Sequence, residues 1–408
     1  MPNKPGHLFP SMQKQLRGRI DSCDIFCRVI DNYGDIGVCW RLARQLANEH
    51  GLRVRLWVDD PGSFARLCHE ADITLDSQKC RGVEVHRWDE PFRATQPAQL
   101  AIETFACKLP ANYLDAMAAQ QIEPVWINLE YLSAEDWVEA CHKLPSPHPA
   151  LPLTKYFFFP GFTARTGGLL LEHDLLARRD AFQRDAEQQQ AFWQSVGVDT
   201  PESGALKVSL FCYENAALAE LFDAWATGGQ KVLCLVPEGR ILPQVGAYFG
   251  DTMPRAGSSY ARNSLQVRVL PFVEQDRYDE LLWACDINFV RGEDSCVRAQ
   301  WAAKPFVWQI YPQHDAVHLE KLQAFLKLFQ APLGAAARNA VQDLWQAWNG
   351  EGAAGTAWPE FMAASEELAH HAQSWSRQLA GNNLALNLLD FSLEIGRMRA
   401  FEIEGGKS

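Results

Sequence analysis

Short β-branched and aromatic runs alternate with amphipathic helical patterns along this chain; the alternation stops at a proline-rich stretch and begins afresh near Ala205. Parallel strands can be joined only through a crossover, so this alternation predicts parallel sheets flanked by helices. Two such runs in 408 residues predict two domains, each with its own core. The first run reads as strand, turn and helix from Ile25 to Trp40. Strands follow from Leu52, from Val83, and in stretches ending near Glu103 and Glu130. Lys143 to Thr154, with its clustered prolines, reads as a loop, followed by a polar helix up to Val196. The second run opens with Ala205 to Asn215 and Gln230 to Gly239. From Leu265 to Pro312 it continues as strand, turn, helix, strand, turn, helix, strand. A tail that is helical throughout, from about Glu360 to Met398, is expected to cross back to the first domain. The expected division is 1–20 as a loose extension, 21–182 and 183–365 as two Rossmann-like domains, and 366–408 as a helical tail.

Ligands of open parallel sheets bind outside the carboxyl ends of the strands. The first such turn carries Asp31, Asn32, Tyr33, Gly34 and Asp35, and its glycines predict close approach of another group to the backbone. Glu103 and Glu130 are expected near the same edge. Four converging acids would suit a cationic group, although Glu103 and Glu130 taken singly are better explained as helix caps or partners of local Arg and Lys. In the second domain Arg291-Gly292-Glu293-Asp294-Ser295 follows an apolar strand and precedes a helix expected to begin near Cys296. A helix start can hold a diphosphate through free N–H groups and its dipole, and Ser295 could add a hydroxyl; the plain alternative is that Glu293, Asp294 and Ser295 cap the helix. Phe211, Tyr213, Phe272, Gln275 and Tyr311 fall at strand ends of the same edge. Aromatic rings there can stack on a nucleobase, and a glutamine amide can read its polar edge.

Two βα domains, one with acids at its edge and one with a nucleotide-like pocket, describe the GT-B architecture of glycosyltransferases. No G-x-G-x-x-G follows a strand, so a dinucleotide dehydrogenase is disfavoured, and no P-loop is present. The D-x-D triplet through which metal-dependent glycosyltransferases hold diphosphate is missing too, so no metal and no cofactor are expected. A formal net charge of -12 argues against a nucleic-acid binder and favours a basic partner. No apolar run approaches bilayer-spanning length, and eleven scattered cysteines without metal spacing fit a reducing cytoplasm.

The segments IDNYGDIGVCWRLARQL, IETFACKLP, WINLEYLSAE, SLFCYEN and FVRGEDSCVRAQWAAKPFVWQIYPQ closely resemble the bacterial protein-arginine rhamnosyltransferases that mature elongation factor P. The resemblance runs from about Cys23 onwards. It implies an inverting, metal-independent GT-B enzyme that takes rhamnose from dTDP-β-L-rhamnose and places it on one arginine of elongation factor P. By the same resemblance Asp35 is the general base, Asp31 an acid beside it, Asn32 lies near the donor sugar, and Tyr33 and Gly34 are substrate-binding residues. Phe211, Tyr213, Phe272 and Gln275 are implied to hold the thymine, Glu293 to be essential at the donor, Asp294 and Ser295 to contact nucleotide and diphosphate, and Tyr311 to be a donor-site residue. The chain departs from the family pattern at Tyr33, Cys39 and Cys296, where Phe, Ser and Phe are usual; no polar group needed by the chemistry is lost. The competing readings are a GT-B transferase with another nucleotide sugar or a small acceptor, and a non-catalytic nucleotide-sugar-binding module.

Overall fold

The computed structural model describes residues 20–31, 33–312 and 317–405. Fourteen strands among them form two sheets. The first comprises β1 (Ser22–Cys27), β2 (Arg53–Val58), β3 (Ser77–Cys80), β4 (Val83–Arg87), β5 (Leu100–Thr104), β6 (Val125–Leu129), β7 (Pro145–Pro147) and β8 (Thr154–Phe158), in the order β3-β4-β2-β1-β5-β6-β8-β7. The second comprises β9 (Leu206–Leu210), β10 (Val232–Pro237), β11 (Ser259–Arg262), β12 (Leu265–Leu270), β13 (Ile287–Arg291) and β14 (Phe306–Gln309), in the order β11-β12-β10-β9-β13-β14. Neighbouring strands are parallel except at the edges, where β3, β7 and β11 run antiparallel to their partners. β7 lies inside the stretch expected to be a loop. Proline is tolerated there because β7 is an edge strand, with only one neighbour to satisfy.

Each sheet reverses its strand order once, beside β1 in the first and beside β9 in the second. That reversal opens a crevice at the carboxyl ends of the strands. β1 is buried on both faces, as a central parallel strand must be: Ile25 enters one core cluster and Phe26 the cluster on the opposite face. After β1 the chain enters the helix Gly34–Asn48, in which Ile36, Cys39, Trp40, Ala43 and Leu46 are fully buried at helical spacing against the sheet. Its first turn points at the crevice.

The tail consists of three helices, Ala354–Ala363, Ser365–Leu379 and Leu384–Gly405. The first two pack with the second sheet through Trp358, Leu368 and Trp375. The last crosses back: Leu384, Leu388, Phe391 and Ile395 share a core cluster with Ile25 and Leu129 of the first sheet. The polar helix expected up to Val196 is likewise broken, into Leu175–Arg184 and Ala186–Ser195, because Asp185 leaves helical geometry to cap the second piece. Phe182 and Phe192 of these helices belong to the core of the second sheet. Two Rossmann-like domains facing across a cleft, with a terminal helix returning to the first, make up the GT-B arrangement expected from the sequence.

Candidate active site

The turn after β1 is folded around one side chain. Asp35, in the first turn of its helix, accepts the backbone N–H groups of Ile30 and Asp31 at 2.8 and 2.9 Å on one oxygen. Its other oxygen accepts the Tyr131 hydroxyl at 3.3 Å. Only 2% of Asp35 is exposed. Burial pushes its carboxyl above the usual carboxylate range, and the neighbouring Asp31 adds to the rise against the two N–H donors. Burial and the charge of Asp35 together raise the Tyr131 phenol strongly, so it stays a hydrogen-bond donor.

Asp31 reaches across the cleft. Its Oδ2 accepts the Tyr213 hydroxyl at 2.5 Å, while Oδ1 is buried with no hydrogen-bond partner among the described residues. The approach is close because Gly34 and Gly292 lack side chains. A Cβ on Gly34 would stand 2.6 Å from Asp31 Oδ2. One on Gly292 would stand 2.8 Å from both that oxygen and the Tyr213 hydroxyl. Gly292 also needs the left-handed φ of +59° that brings the chain from β13 into the next helix.

Two spaces meet at Asp31 and Gly34. One is a narrow chamber of about 50 Å³ walled by Tyr33, Phe211, Phe272, Tyr278, Arg291 and Ser295. The Arg291 guanidinium carbon lies 4.5 Å from the ring centres of both Phe211 and Tyr213, and its Nη1 is buried with no hydrogen-bond partner among the described residues. A buried cation on aromatic walls at a helix start is suited to an anion attached to a flat ring system. The other space is a cavity of about 270 Å³ lined by Asp31, Asp35 and Glu293 together with Phe105, Tyr131, Trp308, Tyr311, His318 and Lys321. Glu293 accepts the Leu132 N–H at 2.9 Å, so it too bridges the two halves. Burial pushes its carboxyl up to about 7; Lys321 and the Leu132 N–H pull it down, Asp35 and Asp294 push it up. Three carboxylates around a space of this size are suited to a planar cation.

Most residues expected at the site meet here, with some changes of role. Tyr33 packs on Phe272 at 4.9 Å between ring centres. Tyr311 lines the acid cavity, 5.6 Å from the Tyr213 ring. The helix expected near Cys296 begins at Asp294. Gln275 lines the chamber, but its amide donates to the Gly37 carbonyl at 2.9 Å and accepts from Arg44 at 3.3 Å; Asp294 accepts Arg41 Nε at 2.8 Å. A Cβ on Gly37 would stand 3.2 Å from Gln275 Nε2 and 3.3 Å from Asp294, so these two side chains make the close approach that a glycine there permits. Ser295 Oγ accepts the Arg291 N–H at 3.0 Å and donates to the Arg291 carbonyl, tying the turn. Asn32 lies outside the described residues.

Glu103 and Glu130 do not join the acids of the cavity. Glu103 is 1% exposed, pairs with Lys155 at 3.4 Å and accepts the Trp126 indole N–H at 3.1 Å; Glu130 accepts the Asn128 amide. Local pairing, the plainer of the two readings, accounts for both. Arg291, Tyr131 and Lys321 carried no expectation. Arg291 opens the RGEDS stretch and Tyr131 directly follows a strand end, so proximity to the motifs was the available signal; Lys321 had none.

Residues 23–393 match the family model described as "Elongation-Factor P (EF-P) rhamnosyltransferase EarP". A protein-arginine rhamnosyltransferase of Pseudomonas putida is 52% identical over 369 residues, covering 90% of this chain and 97% of its own length. That of Pseudomonas aeruginosa is 48% identical over 371 residues, covering 91% and 98%. A solved structure described as the structural basis for EarP-mediated arginine glycosylation of translation elongation factor EF-P is 40% identical with a TM-score of 0.66, over 91% of this chain and 98% of its own.

Proposed function

The chain belongs to the family of elongation factor P rhamnosyltransferases, and on that premise we propose that it moves L-rhamnose from dTDP-β-L-rhamnose to an arginine side chain of elongation factor P, inverting the anomeric centre and using no metal. One observation supports this above the others: the cavity of three carboxylates opens beside the aromatic, arginine-lined chamber, with Asp31 and Gly34 common to both. Such an arrangement brings a cationic acceptor to the end of a nucleotide sugar.

In this reading the thymine lies among Phe211, Phe272 and Tyr33, and the diphosphate lies against Arg291 and the start of the helix Asp294–Ala302. Gln275 and Asp294 serve the donor from behind, by holding the Gly34–Asn48 helix against that start. A guanidinium has a pKa above about 12 and delocalised lone pairs, which makes it a poor nucleophile. Asp31 and Glu293 orient it by charge-assisted hydrogen bonds, and Asp35 takes one N–H proton as the new C–N bond forms. The bond from the anomeric carbon to the diphosphate oxygen breaks on the opposite face. dTDP leaves with that electron pair, its growing charge met by Arg291 and the helix start. Positive charge builds on the sugar as in other glycosyl transfers, beside the same carboxylates. The proposed setting is the cytoplasm, which suits eleven free cysteines.

The experiment is direct. Incubation with dTDP-β-L-rhamnose and elongation factor P should add the mass of one deoxyhexose to an arginine of the factor. An unchanged mass, or equal transfer from UDP- or GDP-sugars, would reject the donor or the acceptor assignment.

A further inference from the structure

The acid cavity contains a cation of its own. Lys321, on the helix Val317–Phe329 that follows β14, is partly buried and lines the cavity beside Glu293. Its ammonium stands 5.6 Å from the ring centre of Tyr131, whose hydroxyl at the other end holds Asp35. Glu293 faces Asp35 from the Gly34–Asn48 helix, Tyr131 from the loop after β6, Asp294 from its own helix, and Lys321 and His318 from the helix Val317–Phe329. A pocket for a guanidinium has no use for a lysine as a ligand, because the two cations repel. In the empty enzyme, however, three crowded carboxylates do need a counter-charge.

We propose that Lys321 is a positioning residue for the acceptor: an internal counter-cation that steadies the carboxylates of the empty cavity and yields its place in their field to the incoming guanidinium. The inference rests on the reading that an arginine side chain enters this cavity. Two opposed effects follow from one charge. Lys321 pulls the Glu293 carboxyl down against burial, so that a larger share of it is ionised to receive the acceptor, and it also competes with the acceptor for the same carboxylates.

Lys321→Met removes the charge and keeps the length of the side chain. Without the ammonium the Glu293 carboxyl rises further, so the acidic limb of kcat/KM for rhamnosyl transfer should move up by roughly one pH unit. At pH 9, above that limb, the competition is gone and the acceptor KM should fall about threefold, the size expected for a solvent-touched charge pair. Lys321→Arg, which retains the charge, should restore the wild-type limb. A merely structural lysine would lower kcat or stability and leave limb and KM in place. That result, or an arginine variant behaving like the methionine one, would overturn the proposal. Lys321→Gln gives the same reading if the methionine variant does not fold. Wild-type enzyme that transfers nothing would instead reject the underlying function, a failure distinguishable from wild-type transfer with an unmoved limb.

Discussion

Asp35 organises a turn and, on the proposed function, serves as the base, and a substitution can separate the two. Its Oδ2 organises the turn through the N–H groups of Ile30 and Asp31, and the carboxamide oxygen of an asparagine can accept both bonds. Asp35→Asn should therefore keep the turn and its dTDP affinity by calorimetry, while turnover falls by roughly 10²–10⁴ for want of a base. Turnover like that of wild type would remove Asp35 from the chemistry. Glu293 offers a test of charge burial. Its carboxyl is raised to about 7 in the folded protein, above the value in the unfolded chain. The fold thus favours the protonated form: the stabilisation is fully present below about pH 4.5 and is lost as pH rises through about 7. Glu293→Gln, which cannot ionise, should gain stability over wild type at pH 8 relative to pH 5, by up to about 3 kcal/mol less what water reaching the partly buried carboxyl screens. A melting-temperature difference that does not change with pH would contradict the burial. At this scale the sequence placed Asp31, Asp35 and Glu293 at the crevice, and of its two readings of Glu103 and Glu130 the plainer one, local pairing, is what the structure shows. A strand end fixes which edge a residue occupies, while strict alternation decides which way it points, and Glu103 points toward Trp126 and Lys155.

The elements that position these groups are two strand–turn–helix units, one from each domain, set with their turns in contact. Gly292 makes that contact possible. Gly292→Ala would put a methyl group 2.8 Å from Asp31 Oδ2 and the Tyr213 hydroxyl, at a φ of +59° that costs an alanine roughly 1–2 kcal/mol. The expected outcome is a folded protein of modestly lower melting temperature with transfer strongly reduced, since Asp31 must shift. Wild-type activity in that variant would mean the two turns need not touch. Both units were legible in the sequence because each is local: a β-branched run, a glycine turn and a helical period. The partners of Gln275 and Asp294 were not, because Arg44 and Arg41 come from a helix more than two hundred residues away. No local pattern encodes such a pairing.

Across the whole molecule the domains are fastened by buried charge. Arg41 joins Asp294, Asp279 and Glu172, while Arg298 holds Asp279 and Glu172 at 2.7 Å from the second domain's side. Leaving any one of these ions unpaired would cost about 3–5 kcal/mol, so the relative setting of the two turns is a property of the whole fold. The last helix adds an apolar fastening, and each of its buried leucines accounts for roughly 1.5–3 kcal/mol. A chain ending at Asn383 should therefore fail to give a soluble, cooperatively melting protein. If it melted as the full chain does, the crossing helix would be ornamental. Two domains could be read from the repeated alternation, and the returning tail was expected from the architecture that the alternation implied. The break at Asp185 and the split of the tail into three helices were not, although Asp185 is a capping residue and Gly381, Asn382 and Asn383 are residues that end helices.

That returning helix also sets an order of events during synthesis. Domains usually fold in the sequence in which they leave the ribosome. Here the amino-terminal half emerges with a greasy seam beside Ile25 and Leu129 that only the final helix seals. The half made first is thus the half finished last, and any message truncated near its end would deliver a protein whose first domain, rather than its second, is left open to proteases and chaperones.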